Sequence, residues 1–355
     1  MINDLIQLFA NNKNVENSYI EGENLHVRKW KRLDKRVSPM TYRFYSNYIG
    51  QQVNIVPADT SRQFIEPILN CGDCDKFYSD KNSFGLFIDP NDMPKTIFRS
   101  IGYKLYDGEY NAVIKDNFEE IILSYDQLIV KPAKDLGGHG IVFFERKNDI
   151  LINENNEILT IDYLERVHKT DFLIQECFVQ SEFMSQFNPS SVNTIRLNTY
   201  RDVNNGAIHI LGAALRIGAK GAKVDNATSG GVIIGIDDIG KIGYCAYDKY
   251  GHKKTFYNDI DFSKNDFIIP NFEGVKNFAI KITKRLPHMS LLALDVVLDR
   301  SNTPKLIEVN SNSFSVKFLQ LTKQPVFGEF TDDIIDYCIR HKNRLSTGIH
   351  FSKKN

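Results

Sequence analysis

The sequence has no long apolar run and no excess of charge of either sign. No stretch approaches the roughly 20 apolar residues of a membrane-spanning helix, and residues 1–5 lack the basic and apolar segments of a signal peptide. Basic and acidic residues number 44 each, so there is no overall attraction to nucleic acid or anionic membranes, although a local basic groove stays open. We therefore expect a cytoplasmic protein with no integral membrane segment and no nucleic-acid partner.

Histidine and cysteine give no sign of a metal centre or a catalytic nucleophile. The eight histidines are scattered along the chain, which favours neither a histidine metal site nor a triad. Of the five cysteines, Cys71 and Cys74 have CxxC spacing, but no second pair or nearby histidine accompanies them. This pattern favours two ordinary thiols over a zinc or redox site.

Two apolar runs late in the chain form the most informative stretch. Residues 294–298 and 305–310 flank a segment rich in Asp, Arg, Ser, Asn and Pro, which predicts a β-hairpin with its loop near 299–304. When the hairpin is folded about Ser301 and Asn302, residues that lie opposite each other share a face.

Three oxygen-bearing side chains then share one face of this hairpin. Asp295 falls opposite Glu308, and Asn310 follows two residues later on the same side. Facing carboxylates repel each other unless a cation lies between them, and carboxylate and amide oxygens suit Mg²⁺. We therefore predict a Mg²⁺ site at Asp295, Glu308 and Asn310. The alternative is a pair of solvated carboxylates on an edge hairpin.

A glycine-rich stretch joins two other predicted strands. An apolar run at 128–132 contains Lys131 near its end, and residues 134–140 with three glycines lead into a strand at 141–144. Backbone N–H groups of such a loop can close over phosphates. The stretch lacks the Gly-Lys-Ser/Thr of a Walker loop, and no helix follows as in a dinucleotide fingerprint. A plain hairpin with flexible glycines is the alternative.

Two arginines flank a predicted turn at residues 202–206. Arg196 lies on the strand that enters the turn and Arg216 ends the strand that leaves it. A hairpin centred near Asn205 places Arg196 close to residue 214, so Arg216 is a neighbour on the same face. Two adjacent guanidinium groups repel unless an anion bridges them, and a substrate carboxylate or phosphoryl oxygen suits that position. Surface arginines on strand ends are the alternative.

Other segments give coarser predictions. Residues 172–179 are typical of a buried strand, and residues 53–56 of a short one. An apolar stripe at Val275, Phe278, Ala279 and Ile282 predicts a helix over 272–286.

Taken in order, these motifs resemble those of ATP-grasp enzymes, over about residues 75 to 325. The stretches that carry the resemblance are Asp80-Lys81, Ile129-Val130-Lys131-Pro132 with the glycine loop, Gln175-Glu176, Ser191-Val192-Asn193-Thr194-Ile195-Arg196, Val224-Asp225-Asn226-Ala227-Thr228-Ser229-Gly230-Gly231 and Ile307-Glu308-Val309-Asn310-Ser311-Asn312. They are most similar to the sugar-transfer-associated ATP-grasp proteins of polysaccharide gene clusters. More distantly, they resemble ribosomal-protein glutamate ligases and D-alanine–D-alanine ligases.

The resemblance implies an α+β ATP-grasp fold, in which two α+β subdomains grip ATP between them behind a small, variable N-terminal lead domain. The first 75 residues show no βαβ pattern, and we assign them to the lead region. Residues 76–180 are then the small subdomain with its glycine-rich lid loop, and 181–345 the large subdomain with the Mg²⁺ site. Residues 346–355 form a polar tail.

The resemblance also implies a role for each matching residue. Lys81 and Lys131 would hold the ATP phosphates from opposite sides of the cleft, with Lys95 as the alternative to Lys81. A lid over the triphosphate would consist of the loop residues Lys134, Gly137, Gly138, His139 and Gly140. Adenine and ribose would be bound by Gln175, Glu176, Phe178, Val179 and Glu182. The reacting groups would face Arg216, Arg196 and Asn226, and two Mg²⁺ ions would be held by Asp295, Glu308 and Asn310.

The activity that the resemblance implies is an ATP- and Mg²⁺-dependent ligation of a carboxylate to an amine through an acyl phosphate. The expected substrates are a carboxylated sugar, such as a uronic acid of a capsule or lipopolysaccharide precursor, and an amine or amino acid. Two alternatives stay open: a kinase that phosphorylates a sugar hydroxyl, and a nucleotide-binding partner without turnover in a polysaccharide assembly complex. A homo-oligomer also stays open.

Overall fold

Two antiparallel sheets and a set of short helices make up the protein. The computed structural model describes residues 18–134, 139–225, 230–312 and 314–346. Of the predicted site residues, Gly137, Gly138 and Asn226 lie outside these ranges. Within them, no helix has both the length and the apolar character that crossing a bilayer requires.

The first sheet has six strands in the order β2-β1-β6-β3-β4-β5. The strands are β1 (Thr96–Ile101), β2 (Lys104–Asp107), β3 (Gln127–Pro132), β4 (Val142–Lys147), β5 (Ile150–Ile152) and β6 (Phe172–Glu176). Side chains alternate along β3: Leu128 and Val130 are buried in the cluster beneath the sheet. Lys131 therefore lies on the opposite face.

The second sheet has seven strands in the order β11-β10-β9-β8-β7-β14-β15. They are β7 (Thr194–Arg201), β8 (Ile208–Ile217), β9 (Val232–Ile236), β10 (Ile242–Tyr247), β11 (Lys253–Lys254), β14 (Leu291–Leu298) and β15 (Pro304–Asn310), while β12 (Phe256–Tyr257) and β13 (Ile260–Asp261) form a separate pair. A helix at Phe272–Lys284 covers one face of this sheet, and the four residues of its predicted stripe are all buried there. That prediction is confirmed.

The described residues contain twelve α-helices, most of them short. They are α1 (Glu23–Lys31), α2 (Met40–Ile49), α3 (Ala58–Thr60), α4 (Glu66–Leu69), α5 (Gly72–Tyr78), α6 (Phe84–Phe87), α7 (Phe118–Ile122), α8 (Ile161–His168), α9 (Glu182–Ser185), α10 (Phe272–Lys284), α11 (Lys317–Thr322) and α12 (Thr331–Arg340). A π-helical turn, Ser61–Ile65, joins α3 to α4. The N-terminal helical region, residues 18–78, shares buried clusters with α11, α12 and the seven-stranded sheet.

The strand predicted at residues 53–56 is wrong. These residues have no strand partner. Instead, one side chain hydrogen-bonds to both the backbone N–H and the backbone carbonyl of Val56. Its N–H donates to Gln320 Oε1 at 2.6 Å, and its carbonyl accepts from Gln320 Nε2 at 3.1 Å. The apolar run is explained by burial beside α11 rather than by sheet pairing. The domain boundaries drawn from the sequence remain predictions.

The hairpin of β14 and β15 has the predicted register. Asp295 pairs with Glu308 and Ala293 with Asn310, with a bulge directly after Asp295. The Asp299 carboxylate organises the turn, because Oδ1 accepts the N–H groups of Ser301 and Thr303, both at 2.9 Å. The turn sets Leu298 opposite Pro304, and the bulge at Ile307 then shifts the pairing by one residue, so that Asp295 faces Glu308.

Candidate active site

Asp295 is the centre of a buried ionic network. Its side chain is 2% exposed, and both of its oxygens accept bonds from Arg196, Oδ1 from Nε at 2.7 Å and Oδ2 from Nη2 at 2.6 Å. Arg216 Nη1 donates to the same Oδ2 at 2.8 Å. Burial alone would raise the pKa of Asp295, but the two arginines outweigh burial and hold that pKa at about 2. Asp295 is therefore a carboxylate throughout the physiological pH range.

The anion that lies between the two arginines belongs to the protein itself. The sequence placed Arg196 opposite residue 214 correctly, because Arg196 pairs with Ala214 and Arg216 with Thr194. We expected a substrate oxygen between the guanidinium groups, yet the structure places Asp295 there. The reason is a long-range pairing: β14 lies beside β7 and brings Asp295 directly opposite Arg196.

Asp225 extends the network and was missed in the sequence. It lies 3.3 Å from Arg216 Nη2 and accepts a hydrogen bond from the Thr194 hydroxyl. Burial raises the pKa of Asp225, and Arg216 opposes this rise. The charges of Arg196, Asp295, Arg216 and Asp225 therefore alternate in sign. The only sequence signal for Asp225 was its place beside Asn226 in the stretch that carried the resemblance.

Glu308 has a different partner. Lys81 Nζ lies 2.9 Å from Glu308 Oε1. The Lys81 N–H donates to the carbonyl of Ala133 at 2.9 Å, which ties this residue to the end of β3. Lys81 therefore contacts both the end of β3 and the β14–β15 hairpin, and its placement opposite Lys131 around the ATP phosphates stays a prediction. The alternative Lys95 lies elsewhere, with its amine over the Tyr125 ring at 5.3 Å.

Lys131 is a half-buried cation beside this pair. Burial, and after it the charge of Lys81, lower the pKa of Lys131 to about 8, although Glu308 acts in the opposite direction. An additional anion beside Lys131 would therefore be stabilised electrostatically. The structure brings Lys81, Lys131 and Glu308 together, as a phosphate site would require.

Asn310 completes the predicted metal set. Its Nδ2 donates to the Ala293 carbonyl at 3.2 Å and to Asp295 Oδ2 at 3.4 Å, so the amide oxygen is the atom left for a cation. Two carboxylates and an amide oxygen on one face fit Mg²⁺ chemically. In the part of the chain that the structure describes, no group of three or more His, Cys, Asp or Glu side chains is placed to hold a metal. The Mg²⁺ assignment stays a prediction.

The residues predicted to bind adenine and ribose surround the end of β6. Gln175 Nε2 donates to Thr96 Oγ1 at 3.1 Å, so its side chain is anchored on β1. The strand ends at Glu176, which is exposed; Phe178 is half-buried and Val179 is 50% exposed. Glu182 is exposed at the start of α9, where Ser181 caps the helix. The nucleotide roles of these residues stay predictions.

The described part of the lid loop is polar and open. Lys134 Nζ lies 3.3 Å from Asp80 and 3.7 Å from Asp171, and both His139 and Gly140 are exposed. Gly140 has φ +70°, and a Cβ atom there would come within 2.8 Å of Pro132. Glycine is therefore required at this position for two independent reasons.

A buried amide network supports the start of β7 and was also missed. Gln180 Oε1 accepts from the N–H and the Nδ2 of Asn193, while its Nε2 donates to the carbonyls of Asn188 and Ser191. All four side chains are less than a tenth exposed. The network fixes the segment that leads to Arg196.

Comparison with known proteins identifies the family. Residues 100–334 match the model of the sugar-transfer associated ATP-grasp family. The chain belongs to this family. It has the ATP-grasp fold of the α+β class, as the sequence predicted. A comparison with curated proteins finds no match.

Solved structures that are similar to the chain include other ATP-grasp proteins. The ATP-grasp ligase PsnB, complexed with a phosphomimetic variant of its minimal precursor, Mg and ADP, is 11% identical with a TM-score of 0.41, over 76% of this chain and 61% of that one. The D-alanine–D-alanine ligase of Bacillus anthracis is 14% identical with a TM-score of 0.39, over 77% and 70%. This chain thus spans about three fifths of the PsnB chain. At these scores the likeness carries no functional argument, and the identification depends on the family model.

Proposed function

We propose that this ATP-grasp protein is an ATP- and Mg²⁺-dependent ligase that joins a carboxylate to an amine through an acyl phosphate. The observation that carries the proposal is the clustering of charged side chains around the β14–β15 hairpin. Arg216 is anchored by Asp295 on one side, and Lys81 and Lys131 meet Glu308 on the other. Phosphoryl transfer requires this kind of preorganised charge, because its catalysis is mostly positioning and neutralisation.

The residues divide the work as follows. Lys81 and Lys131 bind the ATP phosphates, and residues 134–140 cover them. Mg²⁺ held by Asp295, Glu308 and Asn310 would neutralise phosphate charge. Both oxygens of Asp295 accept hydrogen bonds from arginines. Asp295 could therefore bind Mg²⁺ only if one of its oxygens gave up an arginine hydrogen bond or accepted the metal in addition to it. In the same way, Glu308 would exchange its ion pair with Lys81 for a bond to Mg²⁺.

Two transfers complete the reaction. A substrate carboxylate oxygen attacks the γ-phosphorus, the bond to the β-phosphate oxygen breaks, and ADP leaves. The amine nitrogen then attacks the acyl carbon, the bond to the phosphate oxygen breaks, and the amine loses a proton as the amide forms. Arg216 and Arg196 stabilise charge on the reacting groups. No protein nucleophile is needed, and the lid excludes water from the acyl phosphate.

The substrate class follows from the family's association with sugar transfer. We propose a carboxylated sugar of a polysaccharide pathway, such as a uronic acid, and an amine or amino acid. The test is a screen for ADP release over uronic acids crossed with amines. Release that requires both substrates is expected. Release with a neutral sugar alone would favour a hydroxyl kinase, and nucleotide binding without release under any pairing would favour a non-catalytic partner.

A further inference from the structure

Polar side chains of the N-terminal helical region hold the segment that follows β15. Asp75 on α5 accepts hydrogen bonds from the Ser311 hydroxyl and from Asn312 Nδ2, the latter at 2.9 Å. Glu66 accepts from the Phe314 N–H at 3.4 Å. These contacts join parts of the chain that are more than 230 residues apart.

Asn70 binds the same segment and the start of β14 together. Its Nδ2 donates to the carbonyls of Ser311 at 2.6 Å and Leu291 at 2.9 Å, and its Oδ1 accepts from the N–H groups of Ser290 and Leu291. Asn70 is 8% exposed, so these bonds replace water. The two ends of the hairpin are therefore fixed against the N-terminal helical region.

Ser311 directly follows Asn310, whose amide nitrogen makes the contacts with the hairpin and leaves the amide oxygen as the atom for a cation. A displacement of Ser311 would rotate or shift that oxygen. Asp75 is half-buried at this point and uses both carboxylate oxygens on Ser311 and Asn312. Bonds to a charged acceptor are about twice as strong as neutral ones. Asp75 therefore holds the side chains of the two residues that follow the predicted ligand, while Asn70 holds the backbone carbonyl of Ser311.

We propose that Asp75 is a positioning residue that aligns Asn310 for Mg²⁺ through Ser311 and Asn312. The proposal rests on the proposed function, in which Asn310 is a metal ligand. The N-terminal helical region then contributes to the active site through its hydrogen bonds rather than only by covering the sheet. Outer partners of metal ligands typically change metal affinity by about 10- to 100-fold when removed.

The test compares nucleotide affinity with and without Mg²⁺ by calorimetry, using a non-hydrolysable ATP analogue and the full chain. In Asp75→Ala, the gain in affinity that Mg²⁺ gives should fall by about 10-fold, while metal-free affinity stays within about twofold of the wild type. Asp73→Ala is the matched control, because Asp73 lies exposed on the same helix. It should behave as the wild type does.

Two further variants separate positioning from folding. Ser311→Ala removes one partner of Asp75 and should lower the Mg²⁺ gain in the same direction, and Asp75→Asn, which keeps one acceptor oxygen, should restore part of it. If Asp75→Ala unfolds at lower temperature, Ser311→Ala supplies the test. An unchanged Mg²⁺ gain in both Asp75→Ala and Ser311→Ala, or an equal loss of metal-free affinity, overturns the proposal. Wild-type protein that binds the analogue with a Mg²⁺ gain but forms no amide would overturn the ligase alone.

Discussion

The two acids of the β14–β15 hairpin face the same side but have different surroundings. Asp295 is 2% exposed and accepts bonds from arginines of its own sheet. Glu308 is 19% exposed and pairs with Lys81, whose N–H donates to the Ala133 carbonyl directly after β3. We infer that Asp295 is mainly an internal anchor for Arg196 and Arg216. Glu308 is the more readily exchanged contact, at the point where the two sheets meet.

The largest expected effect is on stability, and it separates the two acids. Asp295→Ala leaves two arginines without their shared carboxylate, one of them less than a tenth exposed, and should lower the free energy of unfolding by about 3–5 kcal/mol. Glu308→Ala removes a less deeply buried pair, in which the side chains are 15% and 19% exposed, and should cost less than Asp295→Ala. Urea unfolding followed by circular dichroism measures both. If both variants lost the same free energy of unfolding, Asp295 would not be the anchor and Glu308 would not be the more readily exchanged contact.

The next effect is on turnover. If Arg216 faces the reacting groups as we propose, Arg216→Ala removes a preorganised donor and should lower kcat by about 100- to 1000-fold, with a much smaller change in ATP affinity. Arg285→Ala is the control, because Arg285 is an exposed arginine at the end of α10. Steady-state ADP release and analogue binding give the two quantities. A fall in ATP affinity as large as the fall in kcat would place Arg216 in nucleotide binding instead.

The smallest effect is a pH dependence at Lys131. Its folded-state pKa of about 8 lies below the ordinary lysine value, so the free protein loses this charge as pH rises through 8. ATP should restore the proton, and affinity for the analogue without Mg²⁺ should therefore weaken by roughly tenfold between about pH 7.5 and about pH 9.5. Lys131→Arg keeps its charge over this range and should flatten the profile. The same slope in that variant would exclude Lys131 as the titrating group.

The sign of the matching stability effect follows from linkage. Because the pKa of Lys131 is lower in the folded state, the unfolded chain binds more protons between pH 8 and the ordinary lysine value. The contribution of Lys131 to stability is therefore unfavourable below pH 8 and improves as pH rises above it.

Local chemistry made part of the site predictable. The turns at 299–304 and 202–206 were recognisable in the sequence, and the pairs Asp295–Glu308 and Arg196–Ala214 were predicted. In both hairpins a one-residue bulge, which the sequence did not show, shifts the register between the turn and these pairs. The existence of a hairpin depends on turn chemistry within a few residues, which is visible in the sequence. The spacing of apolar residues, which is also local, predicted the helix α10.

The rest depends on contacts between distant segments. Arg196 meets Asp295 because β7 pairs with β14, almost 100 residues later, and no local pattern encodes that pairing. The contacts of Asp75 with Ser311 and of Gln320 with Val56 are of the same kind. The wrong strand prediction at Val56 has a physical cause. The side-chain amide of Gln320 makes the backbone hydrogen bonds that a neighbouring strand would otherwise make.

The central claim is that a substrate carboxylate receives the γ-phosphoryl group of ATP. The most direct measurement supplies a productive substrate with ¹⁸O in its carboxylate and analyses the released phosphate by mass spectrometry. When the amine displaces phosphate from an acyl phosphate, one ¹⁸O atom of the carboxylate leaves with the phosphate. We therefore expect one ¹⁸O-labelled phosphate for each amide that forms. Unlabelled phosphate, or a stable phosphorylated sugar in its place, would contradict the ligase and establish transfer to a hydroxyl group or to water.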